Sequence, residues 1–226
     1  MDQYIVSIKF LNQTCQPDLA TTVGFNYMRR VDSVVQVWDL KIRLFHWILA
    51  LSFVAAYLSA KFHFGYLHSL TGYFLCVLLL ARMLWGFTGS QFARFKSFIF
   101  TPSVTITYLR SLIKGNPAHY LGHNPAGALM VFVLLGILTL ILLSGLATLA
   151  VIDFEGPMQF LNNYMDDNAS YAVRHLHGWL IDIALLLIPL HVLGVVIGSI
   201  QHKENLVKAM FTGKKKKYQP TLAENQ

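Results

Sequence analysis

Apolar side chains along this 226-residue chain gather into four long runs, at 42–60, 66–87, 126–151 and 176–200. Each approaches the twenty or so apolar residues that an α-helix needs to cross the hydrocarbon core of a bilayer. The pattern predicts an all-α protein, a membrane four-helix bundle of antiparallel up-down topology. Only residues 61–65 separate the first two runs, so these form a hairpin. Asn124-Pro125 reads as the N-cap and first residue of the third helix, because Asn accepts from an orphan N–H and Pro lacks the N–H that would go unused there. Gly156-Pro157 closes that region within a polar loop, 153–170, long enough to cover one end of the bundle. Between the second and third runs, 94–119 is expected to hold a short amphipathic or interfacial helix. No internal repeat is evident.

Composition supports the membrane assignment. Hydrophobic residues make up 55% and charged residues 13%, about half the share usual in a soluble domain, and mean hydropathy is +0.50. Trp47, Tyr57, Tyr66, Trp85, Tyr171 and Trp179 stand near span ends, where aromatic rings favour the headgroup level. The net charge of +7 raises nucleic acid as a partner, but its distribution excludes that. Lys9, Arg29, Arg30, Lys41 and Arg43 precede or open the first span. Arg82, Arg94, Lys96, Arg110 and Lys114 end the second span or follow it. Lys203, Lys208 and Lys214 to Lys217 follow the fourth. The other two loops keep Lys61 and Arg174 beside Asp153, Glu155, Asp166 and Asp167. The positive-inside rule then puts both termini and the loop 89–123 in the cytoplasm, with the lysine run against anionic membrane lipid. Residues 1–36 read as an N-terminal extension without the apolar core of a signal peptide, 37–217 as the bundle domain and 218–226 as a tail. Met28-Arg29-Arg30 offers an alternative start.

Two cysteines, Cys15 and Cys76, form no motif, and no C-x-x-C-H attaches a haem covalently. The candidate chemistry lies in histidines within the spans: His46, His68, His177 and His191. An ionisable side chain in a span is costly and marks function. His177 and His191 are 14 residues apart on one helix, which returns them to within about 40° of the same face and separates them by about 21 Å. His175 would lie about 160° from His191, so His177 is the better partner. His46 opens the first span at one leaflet and His68 opens the second at the other. Depth therefore pairs His46 with His191 and His68 with His177. A single membrane histidine is ordinarily an interhelical hydrogen-bond partner. Four at matched depths fit bis-axial ligation of two haem irons. Ala50, Gly72, Gly178 and Gly194 flank the four and leave space for a flat macrocycle. The spans lack the carboxylates of a di-metal site; Asp182 is their one acid, read as a helix-end group reaching the outer interface, with a proton relay or hydrogen-bonding support as its functional alternative.

The segment Val37-Trp38-Asp39-Leu40-Lys41-Ile42-Arg43-Leu44-Phe45-His46-Trp47 resembles the opening of bacterial cytochrome b561-type proteins. So do His68-Ser69-Leu70-Thr71-Gly72-Tyr73, Arg82-Met83-Leu84-Trp85-Gly86-Phe87, Gly122-His123-Asn124-Pro125-Ala126-Gly127-Ala128, the pair His177 and His191, and Glu204-Asn205-Leu206-Val207-Lys208-Ala209-Met210. The resemblance covers about four-fifths of the chain, from Val37 to Lys217. It implies two haem b groups, one per leaflet, on His46, His68, His177 and His191. It implies electron transfer in the bacterial inner membrane between quinone, ubiquinone or menaquinone, and a second redox partner such as a c-type cytochrome. Two alternatives accompany it: a superoxide:ubiquinone oxidoreductase, against which acidic outer loops argue, and a haem-bearing anchor for a peripheral oxidoreductase such as a hydrogenase. Arg43, Lys41 and Arg82 are candidates to meet propionates of the inner haem, Arg82 being as well placed to snorkel to the surface. His123 either shapes the helix entry or touches a propionate or quinone. His63, His119 and His202 read as loop or interfacial residues.

Overall fold

The computed structural model describes residues 33–217, so residues 1–32 of the expected extension, and the tail 218–226, lie outside the described residues. Four helices are long and apolar enough to span a membrane: α1 (Leu40–Lys61), α2 (Gly65–Thr88), α4 (Pro125–Ile152) and α5 (Asp167–Gln201). Between α2 and α4 lies α3 (Pro102–Ile113), the short helix expected within 94–119, and α6 (Leu206–Thr212) follows α5. α1 packs along α2 and α4 along α5, which makes two hairpins, and α2 also meets α4. Ala56, Leu75, Leu79, Leu135, Leu138 and Leu142 form the core where the hairpins meet, and Ile141, Leu180 and Ala184 form a second patch between α4 and α5. Most other large apolar side chains point outward, as they must in a protein whose solvent is lipid.

Local chemistry sets the helix ends. The Asn124 carboxamide accepts from the Gly127 N–H at 2.7 Å with Pro125 next, as the sequence indicates. The fifth helix differs. It starts at Asp167, nine residues before the apolar run, because Asp166 caps it by accepting from the Ala169 N–H at 2.8 Å. Hydropathy marks where a helix is greasy; those first turns are polar and escape it. Pro189 sits inside α5 and leaves the Leu185 carbonyl without its helical donor. A second unanticipated feature is a two-stranded antiparallel ribbon, β1 (Ser33–Gln36) with β2 (Lys214–Lys217), in which Gln36 pairs with Lys214 and Ser33 with Lys217. Gly213 turns into it at φ 78°, and a Cβ there would run into Gln36 and the Trp38 carbonyl.

Asp39 joins the hairpin's two ends at the His46 end of the bundle. One oxygen caps α1 by accepting from the Ile42 N–H at 2.8 Å. The other accepts from Trp85 Nε1 at 3.2 Å and from the Ser90 hydroxyl. Burial raises the Asp39 carboxyl, but the hydrogen bonds from Ser90, Ile42 and Trp85 outweigh it and hold the group below its ordinary value. Lys41 lies over the Trp85 ring, 3.6 Å from its centroid. Replacing Asp39 by alanine removes a helix cap and strands an indole N–H, a loss of roughly 2 kcal/mol. Thermal unfolding of the detergent-solubilised variant is expected at a clearly lower midpoint, with Asp39→Asn intermediate; a midpoint equal to wild type for Asp39→Ala would refute this anchoring role.

Candidate functional site: two facing imidazole pairs

The four span histidines meet in two pairs. His68 on α2 faces His177 on α5 with ring centroids 6.2 Å apart, and His46 on α1 faces His191 on α5 at 6.4 Å. Two metal–imidazole bonds of about 2.0 Å, with about 1.1 Å more from each nitrogen to its ring centre, add to about 6 Å. Both separations suit one iron held between two imidazoles. Among the described residues no three His, Cys, Asp or Glu side chains gather round a point that could hold a bare metal ion. His175 is exposed and joins neither pair.

The outer shell of the His68–His177 pair is well defined. His68 Nδ1 lies 2.9 Å from the Ala56 carbonyl of α1, and His177 Nδ1 lies 3.0 Å from the Ile141 carbonyl and 3.0 Å from the Ser144 hydroxyl of α4. A carbonyl can only accept, so each Nδ1 donates, which in the neutral tautomer leaves the Nε2 lone pair available. Ring nitrogens anchored in this way are the usual support of metal-ligating histidine. Around the pair lies a cavity of 410 Å³, lined by apolar side chains from all four spans together with Gly72, Gly145 and Gly178. A Cβ on Gly72, Gly178 or Gly194 would meet nothing within 4 Å, so a flat macrocycle can approach the backbone there. Gly145 serves differently: a Cβ there would lie 3.0 Å from His177 Cε1, so its bareness makes room for the ring itself. Asp182 lines the same cavity with Lys61.

At the other end, His46 Nδ1 is buried without a hydrogen-bond partner, and the ring stands edge-on to Trp47, which stacks on Phe211 of α6 at 4.4 Å. Arg43 NH1 donates to the Phe211 carbonyl while its Nε is buried and unpartnered. Arg82 is buried, donates NH2 to the Ala93 carbonyl at 3.2 Å, lies over Phe95, and has a free buried NH1. His123 is clasped between Trp38 and Phe98, at 4.5 and 4.3 Å between centroids.

Sequence reasoning missed a polar cluster below this pair. Glu204 lies 3.4 Å from His119 Nε2 and 3.6 Å from Lys215 Nζ, and His202 packs against His119 and lies 3.3 Å from the Tyr108 hydroxyl. Burial, with Tyr120 second, pushes Tyr108 up to about 12, so its hydroxyl keeps its proton. The alternation of β2 drives Lys215 inward, so one lysine of the run is an internal clasp. The cluster joins residues from α3, the α3–α4 loop, the end of α5 and β2, and no local pattern announces it.

Four apolar spans with facing imidazole pairs at two depths define a multi-pass, haem-bearing electron-transfer protein of the bacterial inner membrane. Residues 37–213 match the model of prokaryotic cytochrome b561, and the chain belongs to that family. A probable Ni/Fe-hydrogenase B-type cytochrome subunit of Rhodobacter capsulatus is 24% identical over 86% of this chain and 86% of its own. Its counterpart in Rhizobium leguminosarum is 23% identical over 80% of this chain and 88% of its own. That of Azotobacter vinelandii is 26% identical over 46% of this chain, and the chain spans 54% of that relative's length. No solved structure matches the chain.

His123 yields a pH prediction. Burial first, then the positive charges of Arg82 and Lys215, lower it from 6.5 to about 3. The unfolded chain therefore binds this proton at a higher pH than the folded chain does, and stability falls as pH drops below 6.5 toward 3. His123→Phe keeps the aromatic sandwich and removes the titration. Its unfolding midpoint is expected to fall less steeply than that of wild type between pH 6.5 and 4; parallel slopes would show that His123 is not held neutral.

Proposed function

We propose that the chain binds two b haems, one between His46 and His191 and one between His68 and His177, and conducts electrons along the bundle between membrane quinone and a redox protein partner. The observation that carries the reading is the pair of separations, 6.2 and 6.4 Å, at two depths on one helix. When bound, a bis-imidazole haem supplies one-electron exchange with no open coordination position. The protein's own contribution is to fix the rings. Ala56 and Ile141 hold the tautomer of the His68–His177 pair, Gly145 admits the His177 ring, and Gly72, Gly178 and Gly194 leave the backbone open to a macrocycle. The apolar lining excludes water. Arg43 and Arg82 are assigned to propionates at the His46 end, on the strength of their unpartnered buried nitrogens.

Both termini are assigned to the cytoplasm. Residues 89–124 carry Arg94, Lys96, Arg110 and Lys114 and no acid, which supports placing that end of the bundle inside. The names of the relatives favour a second reading of the same wiring, in which the chain is the membrane anchor of a peripheral oxidoreductase. Under that reading the peripheral enzyme is the redox partner.

Haem content and the reduced-minus-oxidised spectrum of purified protein test the assignment. Wild type is expected to hold two low-spin haems. His46→Ala and His191→Ala each lose one, His68→Ala and His177→Ala each lose the other, and His175→Ala keeps both. Gly145→Leu, which drives a side chain into the His177 ring, is expected to lose the same haem as His177→Ala. Full haem retention in any of the four alanine variants would exclude that residue as a ligand.

A further inference from the structure

At the His46 end of the bundle two short helices lie outside the spans, and both expose faces of the same design. On α3 the inward side carries Tyr108, which is 4% exposed, and α3 is fastened to the end of α5 through Tyr108 with His202 at 3.3 Å and Gln201 Nε2 with the Leu112 carbonyl at 3.0 Å. Its outward side divides along the axis. Ile106, Leu109 and Ile113 fall within about 60° of one another, and Ser103, Arg110 and Lys114 occupy the adjoining strip of about 40°. Ile113 is 89% exposed, with Ile106 at 49% and Leu109 at 39%. α6 repeats the arrangement: Val207 and Phe211, 49% and 58% exposed, adjoin Lys208 and Thr212.

We infer that α3 and α6 form a collar lying in the plane of the membrane surface, with the isoleucine strip in the acyl boundary and Arg110 and Lys114 bound to the phosphate of anionic phospholipid. Three observations select this occupant. An apolar strip beside a basic strip is the arrangement a helix needs at a boundary between hydrocarbon and headgroups. Charge is complementary, since residues 89–124 hold four cations and no acid. α3 also packs on α4, one of the spans that the bilayer surrounds. A protein partner or a second copy would need to bring its own apolar face. The bilayer that surrounds the spans already supplies both chemistries at the required depth. The inference is independent of what the paired histidines bind. It also gives the clamp to α5 a purpose: the ligand-bearing helix is tied at this end to an element that the lipid surface holds.

The test uses full-length protein lacking Cys15 and Cys76, with single nitroxides at Ile106, Ile113 or Ser103, reconstituted in phosphatidylcholine bilayers with added phosphatidylglycerol. Labels at Ile106 and Ile113 are expected to be relaxed more strongly by oxygen than by a water-soluble nickel chelate, and the label at Ser103 the reverse. Chelate-accessible labels at Ile106 and Ile113, or spin–spin broadening that places a second copy on this face, would overturn the proposal. A second measurement reads the headgroup. Phosphatidylglycerol added to detergent-solubilised wild type is expected to raise the unfolding midpoint more than phosphatidylcholine does, and Arg110→Gln with Lys114→Gln to cut the difference at least two-fold. Equal effects of the two lipids on wild type, or an undiminished difference in the double variant, would remove the phosphate contact from the proposal and overturn it.

Discussion

A polar ring nitrogen inside a bilayer has no water to turn to, and the structure is organised by where those nitrogens find acceptors. His68 on α2 reaches the Ala56 carbonyl of α1, and His177 on α5 reaches the Ile141 carbonyl of α4. Each hairpin is thus stitched by its own histidine. The bond that joins two neighbours also aims the opposite edge of the ring at the other hairpin. In hydrocarbon an unmet donor costs several kcal/mol, so these bonds order the helices and the rings together. The small residues follow from the same requirement: Ser144 adds a second contact to His177 Nδ1, and Gly145 yields the space the ring then occupies.

The two ends of the bundle meet the constraint differently. At the His68 end the ring nitrogens are paired with backbone. At the His46 end buried side-chain nitrogens of Arg43, His46, Trp47, Arg82 and His123 remain without partners. Polar chemistry there moves outward to the cluster of Glu204, His119, His202 and Lys215, which closes the bundle beneath the His46–His191 pair. One end is held by main chain, the other by side chains drawn from four separate segments.

What was legible in the sequence depended on period and composition. Long apolar runs gave the four spans, and the spacing of His177 and His191 at nearly four helical turns gave their shared face. Depth then matched His46 and His68 to the imidazoles they face in the structure, because a hairpin of known polarity fixes height. The start of α5 was hidden, since Asp166 and the polar turn after it look like loop to any measure of greasiness. The ribbon of residues 33–36 with 214–217 and the Glu204 cluster were hidden for another reason. Both rest on contacts between residues 80 or more positions apart, or on a lysine run whose alternation becomes meaningful only once a partner strand is present.

His177 and His191 ride the same helix, whereas their partners sit on two different ones. Any rotation of α5 as a rigid rod swings both rings in the same sense, so the two pairs are geared to one shaft. Pro189 interrupts that shaft between the rings, two residues before His191, where a backbone hydrogen bond is missing. The segment that carries His191 is thus joined to the rest of the helix through one backbone hydrogen bond fewer. A single substitution at that position would change how stiffly the two sites are coupled while touching neither.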